Sequence, residues 1–575
     1  DSIYIEGSLT AYFTVTADST DHLILDLAGN MTIDSVYFSG ATAAFSQNSS
    51  ADEVTVNFPG MIFKNDNDSI TVFYRGYPTQ TGFGAFTVTN HSSGKVLWTL
   101  SEPYGAKEWW PNKQTLSDKA DSIDIIVTTS FGNKVASNGL LKSVDTVGNN
   151  LHRFHWKSNY PIAAYLIAIA ITNYEVFEET AYFPNDSMKL YYYLYPNDSV
   201  GLANSTLATI PFMQLFDSLF GTYPFIKEKY GHASFGFGGG MEHQTMSFMG
   251  GYSGELIAHE LAHQWFGDAV TCASWEDIWL NEGFANYMTG LTYENNVVHD
   301  SAFWKVWKLG TVISATSRPH GSVWVDDTTS VNRIFSSQLS YAKGAYLLHM
   351  LRWKIGDSAF FAGSRNYLND PALSYGFATT ADLKNHLEAS SGMNLTEFFD
   401  DWFYGKGYPS YHTSWTYLPG NLELTIDQTP SDTSVSFFDI PLQYLVQGSS
   451  KDTLITVEPT YSPQTIVVPL SFQPTNVKFD PDLKILSRSN VITNISEKTL
   501  ESAVEIFPNP TTGDLKIKIP SAVQAKSIRI LDINGRIIKE ELFKEEISLS
   551  ELHSGVYLIE IRSTNKILRK KILKK

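Results

Sequence analysis

Two histidines four residues apart, and a glutamate separated from the second by eighteen residues, constrain this chain more than any other feature. The text is HELAHQWFGDAVTCASWEDIWLNEGFANY, running from His259 through Glu282 to Tyr287. On a helix, His259 and His263 share one face and come within reach of one metal ion. Glu282 can return on a second helix as a carboxylate ligand. Two imidazoles and one carboxylate leave a fourth position on zinc open, as in catalytic rather than closed structural sites. Glu260, beside His259, is placed to take a proton from water at that position. The plain alternative is an amphipathic helix with two solvated or hydrogen-bonded histidines. The flanks favour the metal: Ser253 can cap the helix, Glu255 lies in its first turn and Gly267 can end it. The apolar residues of WLNEGFANY can bury the second helix and hold Glu282 still.

The 575 residues predict three to five domains, and the 43% hydrophobic content is ample for several cores. The chain opens at Asp1 with no signal-like apolar stretch, which reads as a processed or trimmed form. Its longest apolar run, Ile162 to Ile171, is too short to span a bilayer and reads as a buried strand. The single cysteine, Cys272, excludes an intrachain disulfide and reads as a small buried side chain. A net charge of −18 argues against a nucleic-acid partner. That charge is uneven. From Ser496 to Lys575 there are 15 Lys and Arg against 11 Asp and Glu, a net of +4, which leaves −22 for the rest.

Four regions follow from the patterning, a multidomain α+β organisation. Residues 1–197 show short alternating stretches separated by turn residues, an antiparallel β region. Residues 198–408 change to helical period, 409–492 return to strands, and a polar linker near NISEKTLES (494–502) precedes a last small β unit over 498–575. The stretch Asn65 to Asp68 reads as a solvated turn rather than a calcium loop.

HELAHQWFG and WLNEGFA, with their eighteen-residue spacing, resemble the M1 family of zinc aminopeptidases, the gluzincins with HExxH-x18-E. The resemblance covers about residues 1–490. It implies an N-terminal β saddle domain, a thermolysin-like, mainly α catalytic domain and a β-sandwich. It also implies one Zn2+ per chain, held by His259, His263 and Glu282. Gly239-Gly240-Met241-Glu242-His243 resembles the family's GxMEN motif, so Glu242 matches the glutamate that holds the substrate's free amine; His243 departs from the family's Asn. An ammonium group needs such an anion in a partly dry pocket. Glu102, in Glu102-Pro103-Tyr104-Gly105-Ala106-Lys107, falls where the family places Gln or Glu beside the amine, with Lys107 in place of the usual Arg. Tyr341-Ala342-Lys343-Gly344 resembles YxKG, whose tyrosine donates to the oxyanion. Where the family carries a long C-terminal helical domain, this chain has about 80 residues resembling the sorting domain of type IX secretion. FPNPTTG, LDINGR, SGVYLIEI and the basic end carry that likeness.

The expectation is a zinc-dependent aminopeptidase, acting on peptides with a free N-terminus. It would be exported to the medium or outer-membrane surface of a Gram-negative, Bacteroidetes-type bacterium by the type IX machinery, which recognises the C-terminal domain. Two other readings stand beside it. One is a thermolysin-like endopeptidase, against which Glu242 argues. The other is a non-enzymatic surface binding module with a relic zinc site, against which the presence of Glu260 and Tyr341 argues.

Overall fold

The computed structural model describes residues 3–184, 186–196, 198–297, 300–494, 503–519, 523, 525–563 and 567–575. The polar linker falls almost wholly in 495–502, outside the described residues. Two compact units divide the chain: residues 1–318 with 322–396, and residues 319–321 with 397–575.

The first unit opens in strands because apolar side chains alternate along the chain. Ile5–Thr14 pairs antiparallel with Asn67–Gly76, Leu9 opposite Val72, and Met31–Phe38 pairs on the other side. A three-stranded sheet of Ser19–Asp26, Glu53–Phe63 and Ala44–Asn48 accompanies it. Leu25, Val36, Val54, Val56, Ile70 and Val72 form the common core. In the Asn65–Asp68 turn the side-chain oxygens are engaged locally. Asp66 accepts from the Phe63 N–H at 2.8 Å and Asn67 from the Thr14 hydroxyl at 2.6 Å.

The apolar run from Ile162 is almost entirely buried, but only its end is a strand, Ile169–Thr172. Ala164–Leu166 is a 3-10 turn. The buried Asn138 amide takes the place of a ladder there: it donates to the Leu166 carbonyl at 2.9 Å and accepts from the Ala168 N–H at 2.9 Å.

A five-stranded mixed sheet follows, in the order Glu175–Tyr182, Ser187–Leu194, Lys229–Ser234, Ser247–Met249, Gly240–Met241. The GGMEH segment thus supplies an edge strand. Around the sheet lie α1 (Ser199–Phe220), α2 (Gly254–Ala262), α3 (Trp279–Glu294), α4 (Ala302–Ala315), α5 (Val331–Ile334), α6 (Gly344–Ile355), α7 (Asp357–Asn369) and α8 (Thr380–Ser391). Caps start several of them: the Asp198 carboxylate accepts from Gly201 N–H, and Thr379 with Asp382 closes a capping box on α8.

In the second unit, two sheets of four and three strands form a sandwich between Pro409 and Asn494. Seven shorter strands from Glu505 to Lys574 form two further sheets. Their core (Leu515, Ile517, Ile528, Ile530, Ile559, Ile561 and Ile572 among it) comes from within that tail. The basic end is itself a strand, Ile567–Lys574, with Leu568 and Ile572 turned inward.

Candidate active site

Ser253 starts the histidine helix: its Oγ accepts from the Leu256 N–H at 3.3 Å. Helix α2 stops at Ala262, with His263 as its cap, earlier than the expected end at Gly267. Tight turns fill the interval, and Gly267 adopts φ +134°, a conformation that favours glycine. His259 and His263 nevertheless keep their helical spacing. Helix α3 brings Glu282 back in its first turn. The two segments are joined by Phe266 stacked flat on Phe284, centroids 3.8 Å apart.

The three expected ligands meet. The Nε2 atoms of His259 and His263 are 3.1 Å apart, and Glu282 Oε2 lies 3.2 and 3.4 Å from them. His263 Nδ1 is 3.2 Å from the Phe266 carbonyl; a hydrogen donated there frees Nε2 to bind a metal. Glu282 Oε2 is buried and has no hydrogen-bond partner among the described residues. Lone pairs turned on one point need a cation. A tetrahedral zinc with bonds of about 2.0–2.1 Å sets its ligands roughly 3.3 Å apart. The donor set therefore fits zinc.

Glu260 points from the same helix and is buried, as are Glu102, Glu242 and Glu282, each between 3% and 5% exposed. Gly240 lies so close to the Glu260 carboxylate that a Cβ there would fall on it. Glu102, Glu242 and Glu282 each present a carboxylate oxygen within 4.8 Å of the others. Oε1 of Glu102 and Oε1 of Glu242 are buried without partners among the described residues. Burial, then the charges of Glu242 and Glu282, raises the Glu102 carboxyl well above its ordinary range. Burial and then Glu242 do the same to Glu260. At Glu282 burial also pushes upward, but His263 and His259 outweigh it and hold the group at about 2.

Tyr341 stacks on His259, centroids 5.9 Å apart and 11° between planes. It lies within a π-helical turn, Ser337–Lys343, that leads into α6. Burial and the nearby Glu282 carboxylate keep its phenol protonated. Helix α6 reaches α3 closely because both carry glycine at the crossing: a Cβ on Gly283 would come 3.0 Å from the Gly344 carbonyl carbon. Lys107, by contrast, points away to Asp52, 2.7 Å from its carboxylate. His243 is fully buried against Phe248, with both ring nitrogens unpartnered among the described residues. Burial holds it neutral, down at about 3.

Several supporting residues escaped the sequence reading. Gln264 ties α2 to the GGMEH segment. Asn281 accepts from the N–H of the buried Cys272 at 3.2 Å. Lys119 donates to the carbonyl of Asp268 at 2.8 Å. A lone polar residue in an apolar string carries no periodic signal; for Gln264 and Asn281 the only hint is their place inside HELAHQWFG and WLNEGFA.

A β domain followed by a helical domain, with paired histidines on one helix and a glutamate on the next, defines a thermolysin-like metallopeptidase architecture. The Peptidase M1 N-terminal domain model matches residues 2–166 and the Peptidase family M1 domain model residues 251–402. The chain belongs to peptidase family M1. A Secretion system C-terminal sorting domain model matches residues 505–575. "Probable aminopeptidase 2" of Sulfurisphaera tokodaii is 33% identical over 215 residues, 35% of this chain and 26% of that protein. "Aminopeptidase N" of Lactococcus lactis subsp. lactis is 38% identical over 165 residues, 27% of this chain and 19% of that protein. The chain thus spans about a fifth to a quarter of the length of these relatives. The crystal structure of an M1 zinc metallopeptidase from Deinococcus radiodurans shares the fold, with a TM-score of 0.62 at 23% identity, covering 70% of this chain and 89% of that one.

Proposed function

We propose that this chain is a zinc-dependent aminopeptidase that releases the N-terminal residue of peptides. The observation that carries the reading is the convergence of Glu102, Glu242 and Glu282 beside the two histidines, with unpartnered carboxylate oxygens on Glu102 and Glu242. Burial and mutual repulsion disfavour the ionised forms of these carboxyls, and a cation brought among them relieves that penalty. Beside a hydrolytic centre, a substrate's terminal ammonium is that cation. A peptide running on past this point would leave both carboxylates unmatched, which disfavours the endopeptidase reading. One solved M1 zinc metallopeptidase mutant is described as bound to a Tyr-Ser-Ala substrate, which accords with peptide chemistry on this fold.

His259, His263 and Glu282 would hold one zinc per chain. Bound there, zinc supplies Lewis-acid polarisation of the scissile carbonyl and acidifies water. Glu260 takes the proton of the attacking water and hands it to the leaving amine. The Tyr341 hydroxyl donates to the carbonyl oxygen as that oxygen becomes negative. Glu242 and Glu102 accept hydrogen bonds from the ammonium. Gly239 and the edge strand Gly240–Met241 border the peptide; at Gly240 the lack of a Cβ leaves room for the Glu260 carboxylate. We also propose that the chain works as the four regions 1–197, 198–408, 409–492 and 498–575. The last would hand the protein to type IX secretion machinery, for delivery to the medium or outer-membrane surface of a Gram-negative, Bacteroidetes-type cell. Among the described residues no helix is long and apolar enough to cross a membrane.

Mass spectrometry of a digested hexapeptide tests the activity. Stepwise loss of single N-terminal residues is expected. Internal fragments appearing first would replace this reading with the endopeptidase one.

A further inference from the structure

Glu242 receives no hydrogen bond at its own Oε1 among the described residues, so the site leaves that atom free for a ligand. Its position must then be fixed through its backbone. The buried Gln264, one residue past His263, does this with a saturated amide. Nε2 donates to the Glu242 carbonyl at 3.1 Å and to Asp268 Oδ2 at 2.7 Å. Oε1 accepts from the Thr245 N–H at 2.8 Å and shares the single Tyr223 hydroxyl proton, at 3.2 Å, with the Lys229 carbonyl at 3.1 Å. All four hydrogen-bonding positions of the amide are used, and a fully satisfied buried network is rigid. Two of the four bonds end on the segment 242–245. The same segment is gripped from its other side. Lys229 Nζ donates to the Thr245 carbonyl at 3.0 Å, and Asn138 Nδ2 to the Gln244 carbonyl at 2.8 Å. Thr245 is held at φ +65°, a conformation a threonine rarely keeps without such support.

We propose that Gln264 is a positioning residue for the substrate amine: it locks Glu242 to the histidine helix, and so sets the distance between the ammonium and the hydrolytic centre. This rests on the aminopeptidase reading. It predicts a loss that a merely structural role does not give, namely a weaker hold on the free amine with the chemical step largely intact.

The test uses the zinc-loaded full chain. Gln264→Leu keeps the side-chain volume and removes all four bonds. Calorimetric Kd for L-leucine is expected to rise about tenfold, the scale of one to two lost hydrogen bonds. KM for a leucyl amide should rise in step, kcat should stay within about threefold, and zinc content should be unchanged. Tyr223→Phe, which removes the hydroxyl shared between Gln264 Oε1 and the Lys229 carbonyl and spares packing, should give a rise of about two- to threefold in the same direction. In a Glu242→Gln background the Gln264 effect should disappear, since the two act as one unit. An unchanged Kd and KM, or the same fold-change in the Glu242→Gln background, would overturn the proposal. Wild-type enzyme that binds L-leucine and N-acetyl-L-leucine alike would instead overturn the amine-site reading, and this inference with it.

Discussion

At the scale of single residues, the division of labour rests on which atom can move a proton and which can only offer one. Glu260 is buried, with its carboxyl raised by burial and Glu242, which suits a group that first accepts and then returns a proton. Glu260→Gln keeps size and hydrogen bonding but not the exchangeable site. It should retain zinc and fold while kcat falls by about 10²–10⁴-fold; steady-state kinetics with metal analysis would check this, and a rate within threefold of wild type would contradict it. Tyr341→Phe should lower kcat on the order of 10²-fold with little change in KM, because its hydrogen bond strengthens only as the carbonyl oxygen becomes negative. A change confined to KM would make Tyr341 a packing residue. The ligands and Glu260 were legible because their spacing is dictated by helix geometry. Glu102 was not legible in that way: it reaches the site across about 140 positions of chain, and only a family likeness pointed to it. Gln264 was invisible, since a glutamine after a histidine reads as an ordinary helix surface until its four partners are seen.

At the scale of elements, the strand Lys229–Ser234 is the middle strand of the mixed sheet, and it carries a histidine that burial keeps neutral. His232 is fully enclosed, with Nδ1 2.8 Å from the Ser205 hydroxyl, and its ring is held down at about 3. The unfolded chain takes up that proton near pH 6.5, and the folded one refuses it until about pH 3. Stability must therefore fall as pH drops through that window, by at most about 1.4 kcal/mol per pH unit for this group. Urea unfolding at pH 7, 5.5 and 4.5 should show the decline, and His232→Asn should make it shallower by about one proton's slope; an unchanged slope would mean that another group governs acid sensitivity. The same burial explains what was and was not legible in the elements. The apolarity of the run from Ile162 reports its burial, but periodicity cannot report that Asn138 satisfies its backbone, so the pattern predicts a strand where a 3-10 turn stands. Likewise the cap at Ser253 was visible as a residue type. The early end of α2 was not, because the turns before Gly267 are fixed by tertiary bonds such as that from Asp268 N–H to the His263 carbonyl, 2.9 Å.

At the scale of the whole molecule, the tail carries its own apolar core and its own charge, while every residue assigned to the chemistry lies between Glu102 and Tyr341. Ending the chain at residue 494 should leave kcat/KM within about twofold and abolish export in the native host, since the tail's core is drawn from its own residues. Export of the shortened chain at the normal level would remove the sorting role. On the proposed function, buried carboxylates beside a zinc centre select for a free terminal amine. The most direct measurement is kcat/KM for a leucyl fluorogenic amide against its N-acetyl counterpart, on zinc-replete enzyme. Acetylation should lower kcat/KM by at least about 10²-fold, the scale of lost charge-assisted hydrogen bonds to a buried group, and Glu242→Gln should narrow the gap. Equal hydrolysis of the two substrates would contradict the proposed function.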